Sequence, residues 1–214
     1  MKQNINLKNF ILAAAVALGS VAASAQSANV AVPTPESATP GLLGSRYTEV
    51  AYNYTDLEGG DHANGVGLVF NQPLRTGLDF IAGYNWSKAD FSTFDAHVND
   101  LQAGVRAFTN LSWGRPYAEA SAGWEWVKAA GVRDDSFAYK LGVGTEFQVA
   151  PSLTITPFVN FVRATGFNAS EVELGAKATY RLNHEWSLTV RAQYEAVRHD
   201  SDSAEYSIGA IYHF

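Results

Sequence analysis

Two short stretches of this 214-residue sequence combine a histidine with an acid: Asp61-His62, and His199-Asp200 followed by Ser201. An acid beside a histidine can help to activate water, and the same side chains can bind a metal ion. Both stretches are polar, and histidines in polar surface turns are usually only solvated. We therefore treat His62, His199 and Asp200 as weak catalytic candidates, and we expect no metal site and no cofactor.

The elements that would position these residues are β-strands. From Arg46 onward, apolar and polar residues alternate in segments of about ten, which is the side-chain period of a strand. Turn residues separate the segments. The pattern predicts ten strands near 46–56, 63–71, 75–87, 96–108, 115–128, 136–149, 152–164, 171–181, 185–198 and 204–214. If the last strand pairs with the first, the two histidine-containing loops are neighbours.

The connections between the predicted strands are of two kinds that alternate along the chain. We expect tight turns at NQPL, TNLSWGR, VAPS and RLNHE, and longer polar loops at DLEGGDHAN, SKADFSTFD, KAAGVRDDS, ATGFNAS and RHDSDSA. An even number of strands with turns at one end and loops at the other is typical of outer-membrane barrels.

The aromatic residues indicate which face of each strand points outward. Trp186 and Tyr194 lie eight residues apart on one face, and so do Tyr139 and Phe147. Eight residues of a tilted strand advance about 20 Å, close to the height of the apolar band between two aromatic girdles of a membrane barrel. In a soluble barrel or sandwich, the same apolar face would instead be the core.

The first residues of the chain predict export. Residues 1–25 carry lysines, an apolar run and the A-x-A sequence Ala23-Ser24-Ala25, so we expect a cleaved signal peptide. Residues 26–45 are rich in proline and small polar residues, which predicts a flexible periplasmic linker before a barrel of residues 46–214. The chain has no cysteine, and its net charge of −6 gives no indication of nucleic-acid binding.

If the apolar face meets lipid, the opposite face fills the lumen with charges. The predicted inward residues include Glu49, Arg106, Glu119, Lys140, Glu146, Glu173, Lys177 and Arg191, together with Asp79, Glu125, Arg181 and Glu195. Such a lining can select permeating ions, or it can fill a narrow barrel with structural ion pairs. Side chains alone fill an eight-stranded barrel, so ten strands favour a mostly occluded lumen.

The end of the sequence resembles a known assembly motif. AEYSIGAIYHF is similar to the C-terminal strand of Gram-negative outer-membrane barrels, with Tyr206, Ile208 and Tyr212 at alternate positions before a terminal Phe214. The resemblance implies recognition by the barrel-assembly machinery. The chain also resembles small OmpA-like barrels of the porin family, although it has ten predicted strands (eight remain possible) and no peptidoglycan-binding domain. The expected fold is an all-β, transmembrane, antiparallel up-and-down barrel.

Three functions remain open at this stage. The first is a non-enzymatic barrel of the Gram-negative outer membrane with a structural or surface role or slight permeability. We expect it to be monomeric and surrounded by membrane lipids and lipopolysaccharide. The second is an outer-membrane hydrolase that uses the histidines at the rim, as omptin proteases or lipid A deacylases do. The third is a secreted soluble β-barrel that binds a small apolar ligand.

Overall fold

A computed structural model describes residues 41–57, 61–91, 94–197 and 202–214. The described chain forms ten strands: β1 (Tyr47–Leu57), β2 (His62–Arg75), β3 (Leu78–Phe91), β4 (Phe94–Phe108), β5 (Arg115–Ala129), β6 (Val132–Ala150), β7 (Leu153–Ala164), β8 (Ala169–Arg181), β9 (Trp186–Val197) and β10 (Ser203–His213). The prediction of ten strands is confirmed, and eight is excluded. No helix in these four ranges is long and apolar enough to cross a membrane.

The strands form a closed antiparallel barrel in which each strand pairs with its neighbours in sequence. Closure comes from β1 and β10, which pair along their whole length from Tyr47 opposite His213 to Leu57 opposite Ser203. Because every strand has a partner on both sides, the barrel has no open edge with unpaired backbone groups. The predicted up-and-down topology is therefore confirmed.

Side chains on the two faces of the wall differ in polarity and in exposure. On β9, Leu188 and Val190 point outward and are 46% and 55% exposed, whereas Thr189 and Arg191 point inward and are each 3% exposed. On the other strands most outward positions are apolar and most inward positions are polar, with exceptions such as Phe158 and Val162 on β7, which point inward. A soluble barrel has the opposite arrangement, and this inversion is the pattern of transmembrane barrels.

The barrel has two rims. The rim at which β1 begins and β10 ends, here called the lower rim, carries the connections between β2 and β3, β4 and β5, β6 and β7, and β8 and β9. The opposite rim, the upper rim, carries the other five. The turn between β2 and β3 was predicted at NQPL, but it lies further along the chain. β2 continues past Pro73, through an irregularity in register, to Arg75. The turn lies at Thr76 and Gly77, where Gly77 has a φ of 77°.

Strand pairing continues into some of the stretches that were predicted to be long polar loops at the upper rim. In KAAGVRDDS, the β5–β6 hairpin turns at Ala130 and Gly131, with φ values of 49° and 80°, and Lys128 pairs with Arg133. Positive φ at both central positions matches the twist of a two-residue hairpin. The prediction of a loop was wrong because polar residues were taken as unpaired, whereas strand pairing continues through them beyond the apolar band.

Candidate functional site

The lumen is the one region where polar groups of all ten strands converge, and its contents are layered along the barrel axis. Near the lower rim, Leu42, Tyr47, Val69 and Ile211 form an apolar cluster. Near the upper rim, alanines form two apolar clusters with larger neighbours. The first contains Ala63, Ala89, Ala96 and Ala129, packed against Leu57, Phe91 and Phe94. The second contains Ala138, Ala164 and Ala169, packed against Phe167. Charged side chains occupy the space between these layers.

Buried ion pairs dominate the charged layer. Arg106 donates from Nε and Nη2 to Glu119 Oε2, at 2.9 and 2.5 Å, and the two residues lie opposite each other on β4 and β5. Further pairs join Arg115 to Glu146 and Arg191 to Glu205. Removing one partner of a buried pair leaves an uncompensated charge, so each pair constrains the strands that carry it.

One ion pair crosses the lumen rather than linking adjacent strands. Lys177 Nζ on β8 lies 2.9 and 2.6 Å from the two carboxylate oxygens of Glu49 on β1. Thr189 Oγ1 on β9 donates to the same carboxylate at 3.0 Å. This contact spans three steps around the barrel and fills the middle of the lumen.

The lining contains more acids than cations. Among the described residues, ten acids are buried inside the barrel: Glu49, Asp79, Asp100, Glu119, Glu125, Glu146, Glu171, Glu173, Glu195 and Glu205. The buried cations of arginine and lysine are Arg106, Arg115, Lys140, Lys177 and Arg191. Neutral side chains donate hydrogen bonds to some of the remaining acids. Asn160 Nδ2 donates to Glu173 Oε2 at 2.6 Å, and Ser203 Oγ donates to Glu195 Oε2 at 2.5 Å.

All eight charges expected as the main lumen lining are buried and inward. Arg181, also expected inside, is instead half-buried at the lower rim, where it donates to the carbonyl oxygens of Asn183 and His184. Arg115 and Glu205 were missed by the sequence analysis. The alternation along each strand could have revealed them. Arg115 lies four residues before the inward Glu119, so both share a face, and Glu205 is adjacent to the outward Tyr206, so it points inward.

Glycines on the inward face make room for large side chains. A Cβ atom at Gly144 would lie 2.5 Å from the Tyr117 ring, and one at Gly142 would lie 2.3 Å from Asn160 Oδ1. Tyr117 therefore lies across Gly144, where its ring also approaches Arg106 at 5.2 Å from the guanidinium carbon. At these positions the side chains of neighbouring strands pack closely inside the barrel.

The residues predicted for the aromatic girdles face outward. Trp186 and Tyr194 are both substantially exposed, and Tyr139 and Phe147 are partly exposed. At the lower rim, the Trp186 ring packs on Tyr212 with centroids 5.0 Å apart. Near the upper rim, the Tyr194 hydroxyl donates to Asp202. Tyrosine and tryptophan rings with such polar contacts suit the boundary between an apolar layer and water.

The residues of the predicted assembly motif also lie on the outer surface. Tyr206, Ile208, Tyr212 and Phe214 are all exposed on β10 or just after it. The Phe214 ring contacts Tyr212 edge-on at 5.1 Å and lies 5.2 Å from the guanidinium carbon of Arg46. Its backbone N–H donates to the Arg46 carbonyl at 3.1 Å, which extends the β1–β10 pairing.

The weak catalytic candidates do not form an assembled site in the part of the chain that is described. His62 lies on β2 at the upper rim, is exposed, and stacks on Tyr54 with ring centroids 5.9 Å apart. His199 and Asp200 lie outside the described residues. Within those residues, no group of three or more histidines and acids could hold a metal ion.

A hydroxyl–imidazole contact occurs elsewhere, between Ser187 Oγ and His213 Nε2 at 2.9 Å. Both side chains are buried inside the barrel near the lower rim. A serine nucleophile also needs an acid that orients the histidine, but His213 Nδ1 has no hydrogen-bond partner among the described groups. The contact therefore lacks the third member of a catalytic triad.

Comparison with known proteins adds information on the fold alone. No protein-family model and no curated protein sequence matches the chain. Among solved structures, an outer-membrane channel from Pseudomonas putida F1 is 8% identical, with a TM-score of 0.51, over 85% of this chain and 100% of the channel. Neisserial surface protein A is 14% identical, with a TM-score of 0.41, over 79% and 96% of the two chains. The attachment invasion locus protein of Yersinia pestis is 14% identical, with a TM-score of 0.36, over 79% and 97%.

The likeness to the channel agrees with the closed antiparallel topology described above. The chain resembles small outer-membrane β-barrels, as its strand repeat and its last strand predict, and it has their fold.

Proposed function

We propose that this protein is a non-enzymatic β-barrel of the Gram-negative outer membrane, with a closed lumen and a structural or surface role in the cell envelope. Any permeability is slight. The observation that carries the proposal is the Lys177–Glu49 ion pair, which crosses the interior between β8 and β1, three strands apart around the barrel. A wide diffusion pore keeps this region filled with water, and pores of that kind need about 16 strands.

The outer surface supports a membrane location. A continuous outward apolar face with aromatic side chains near both rims would bind lipid, and the closed barrel satisfies its backbone groups internally. By the usual orientation of such barrels, the lower rim faces the periplasm and the upper rim faces outward. There the protein would contact lipopolysaccharide and need no partner subunit. The motif ending at Phe214 would be read by the barrel-assembly machinery during insertion.

The lining supports a role without catalysis. Many of the buried charges in the lumen are held by ion pairs or by neutral donors, which constrain the strands that carry them. His62, the described catalytic candidate, is a solvated rim residue beside Tyr54. A soluble carrier of apolar ligands needs an apolar cavity, whereas the middle of this barrel is charged.

Cell fractionation tests the proposal. We expect the protein in the outer-membrane fraction, resistant to extraction by carbonate or urea and released only by detergent. The purified protein should migrate differently on gels before and after boiling, as folded barrels do. Recovery of the folded protein in the soluble periplasmic fraction would overturn the membrane assignment and favour a soluble ligand-binding barrel.

A further inference from the structure

The segment before β1 crosses the lower opening of the barrel. Residues 41–44 are buried, although they belong to no strand. Leu42 packs against Tyr47, Val69 and Ile211, which lie on β1, β2 and β10. Its backbone N–H donates to Glu146 Oε1 at 2.7 Å, on β6 at the opposite side of the ring. The segment therefore reaches from one wall of the lumen to the other.

Charged groups of the wall hold the backbone of this segment. The Gly44 N–H donates to Asp79 Oδ2 at 2.8 Å, and Arg115 Nη1 donates to the Leu43 carbonyl at 3.3 Å. Arg115 is itself paired with Glu146, so both members of one buried ion pair bind the segment. Arg115 and Glu146 thus have a role beyond their own ion pair, and Asp79 adds a third contact to the segment.

The sequence GLLG fits this position closely. A Cβ atom at Gly41 would lie 1.7 Å from Arg115 Nη2, so a side chain there would push against the ion pair. Gly44 has a φ of 82°, a left-handed conformation that glycine adopts without strain. Between them, Leu42 and Leu43 are 2% and 0% exposed. Two glycines therefore bring the backbone close to the wall while two leucines fill the opening.

We propose that residues 41–44 act as a removable seal that closes the lumen toward the lower rim. The seal is separable from the wall because the β1–β10 and β1–β2 ladders begin at Tyr47, after the segment has ended. Four residues fill the opening with two leucines and a few backbone hydrogen bonds. The inference rests on the proposed closed lumen and adds that the lower closure is made by this segment rather than by the wall.

Thiol labelling tests the seal. Because the chain contains no cysteine, an introduced cysteine is the only thiol that can react. The reporter is Val69→Cys, an inward position on β2 that packs directly against Leu42. The displaced variant carries Leu42→Asp and Leu43→Asp, which place a charge at each of two buried apolar positions that lie outside every strand. A matched reporter, Ala89→Cys, lies in the upper apolar layer. The rate of reaction with a small charged thiol reagent is measured on the purified, folded protein in detergent.

We expect Val69→Cys to be protected when the segment is intact and to react about tenfold faster or more in the displaced variant, because labelling follows the exposed fraction of the thiol. Ala89→Cys should react slowly in both. Rapid labelling of Val69→Cys alone with the segment intact, or continued protection after displacement, would overturn the seal. Equal acceleration at both reporters would also count against it, as a general loosening. Rapid labelling of both reporters in the otherwise unmodified protein would contradict the closed lumen itself.

Discussion

Lys177 on β8 and Glu49 on β1 are 128 residues apart in sequence, yet the lysine Nζ lies within 2.9 Å of both carboxylate oxygens. Both side chains are almost fully buried. Coulombic attraction is strong where water is excluded, but the desolvation of two charges offsets much of it. The pair therefore contributes little net stability in itself, whereas its disruption leaves a buried charge.

That asymmetry predicts the result of a double-mutant cycle. Lys177→Met should lower the free energy of unfolding by about 3–5 kcal/mol, since Glu49 keeps its charge without a cation. Adding Glu49→Gln should recover a large part of the loss. The measurement is urea-induced unfolding in lipid vesicles, followed by tryptophan fluorescence. Equal and additive losses from the two single changes would show that the residues do not act as a pair.

An exposed lysine provides the control. Lys88 forms ion pairs with Asp90 and Asp95 near the upper rim, where its side chain is 34% exposed. Lys88→Met should therefore cost far less stability than Lys177→Met, because water screens surface ion pairs.

The second prediction concerns the outward face. Val190→Arg should cost about 2–4 kcal/mol if the middle of β9 meets lipid. Val149→Arg is a matched control, because Val149 is equally exposed but lies at the lower end of β6, beside the turn at Pro151 and Ser152. There the arginine can reach the interface, and the cost should fall to about 0–1 kcal/mol. Equal costs at the two sites would argue against a lipid-facing band.

The strand repeat shows how far the sequence alone predicts this fold. Ten strands follow from alternation, since a period of two is visible wherever one face is apolar and the other polar. The same alternation predicts which charged side chains point into the lumen. Strand ends are less predictable, because pairs such as Lys128 and Arg133 continue a hairpin through residues that are typical of loops.

Contacts across the lumen could not be predicted from the sequence. Lys177 and Glu49 meet only after the barrel closes, and neither strand carries a signal that selects this partner among the other inward charges. The burial of residues 41–44 was also missed. Their composition is that of a linker, and the groups that bind them, Arg115 and Glu146, are distant in sequence.

The third prediction concerns Phe214. Phe214→Asp should reduce the amount of protein inserted in the outer membrane while leaving export to the periplasm intact, because the ring packs on Tyr212 and Arg46 in the proposed lower girdle. Membrane and periplasmic amounts are compared by immunoblot. Phe214→Tyr keeps an aromatic ring and serves as the control, with near-normal insertion expected. Normal insertion of Phe214→Asp would remove this residue from the assembly motif.

The fourth prediction concerns packing inside the barrel. Gly144→Leu should destabilise the protein by about 1–3 kcal/mol, the usual cost of overfilling a packed interior. Its side chain would occupy the position of the Tyr117 ring. Tyr117→Ala in the same protein should recover part of the loss by vacating that space. Both are measured as shifts of the unfolding midpoint in urea, and no recovery in the double variant would show that the two residues do not share one space.

The central claim is that the lumen is closed by its own side chains, and its electrical conductance tests this most directly. The purified full-length protein, refolded and inserted in planar lipid bilayers, should give no large and steady current. At most it should give small, brief events, because the charged layer lies between two apolar layers in a barrel of ten strands. A stable, large unitary conductance from the unmodified protein would contradict the closed lumen and identify the protein as a diffusion pore.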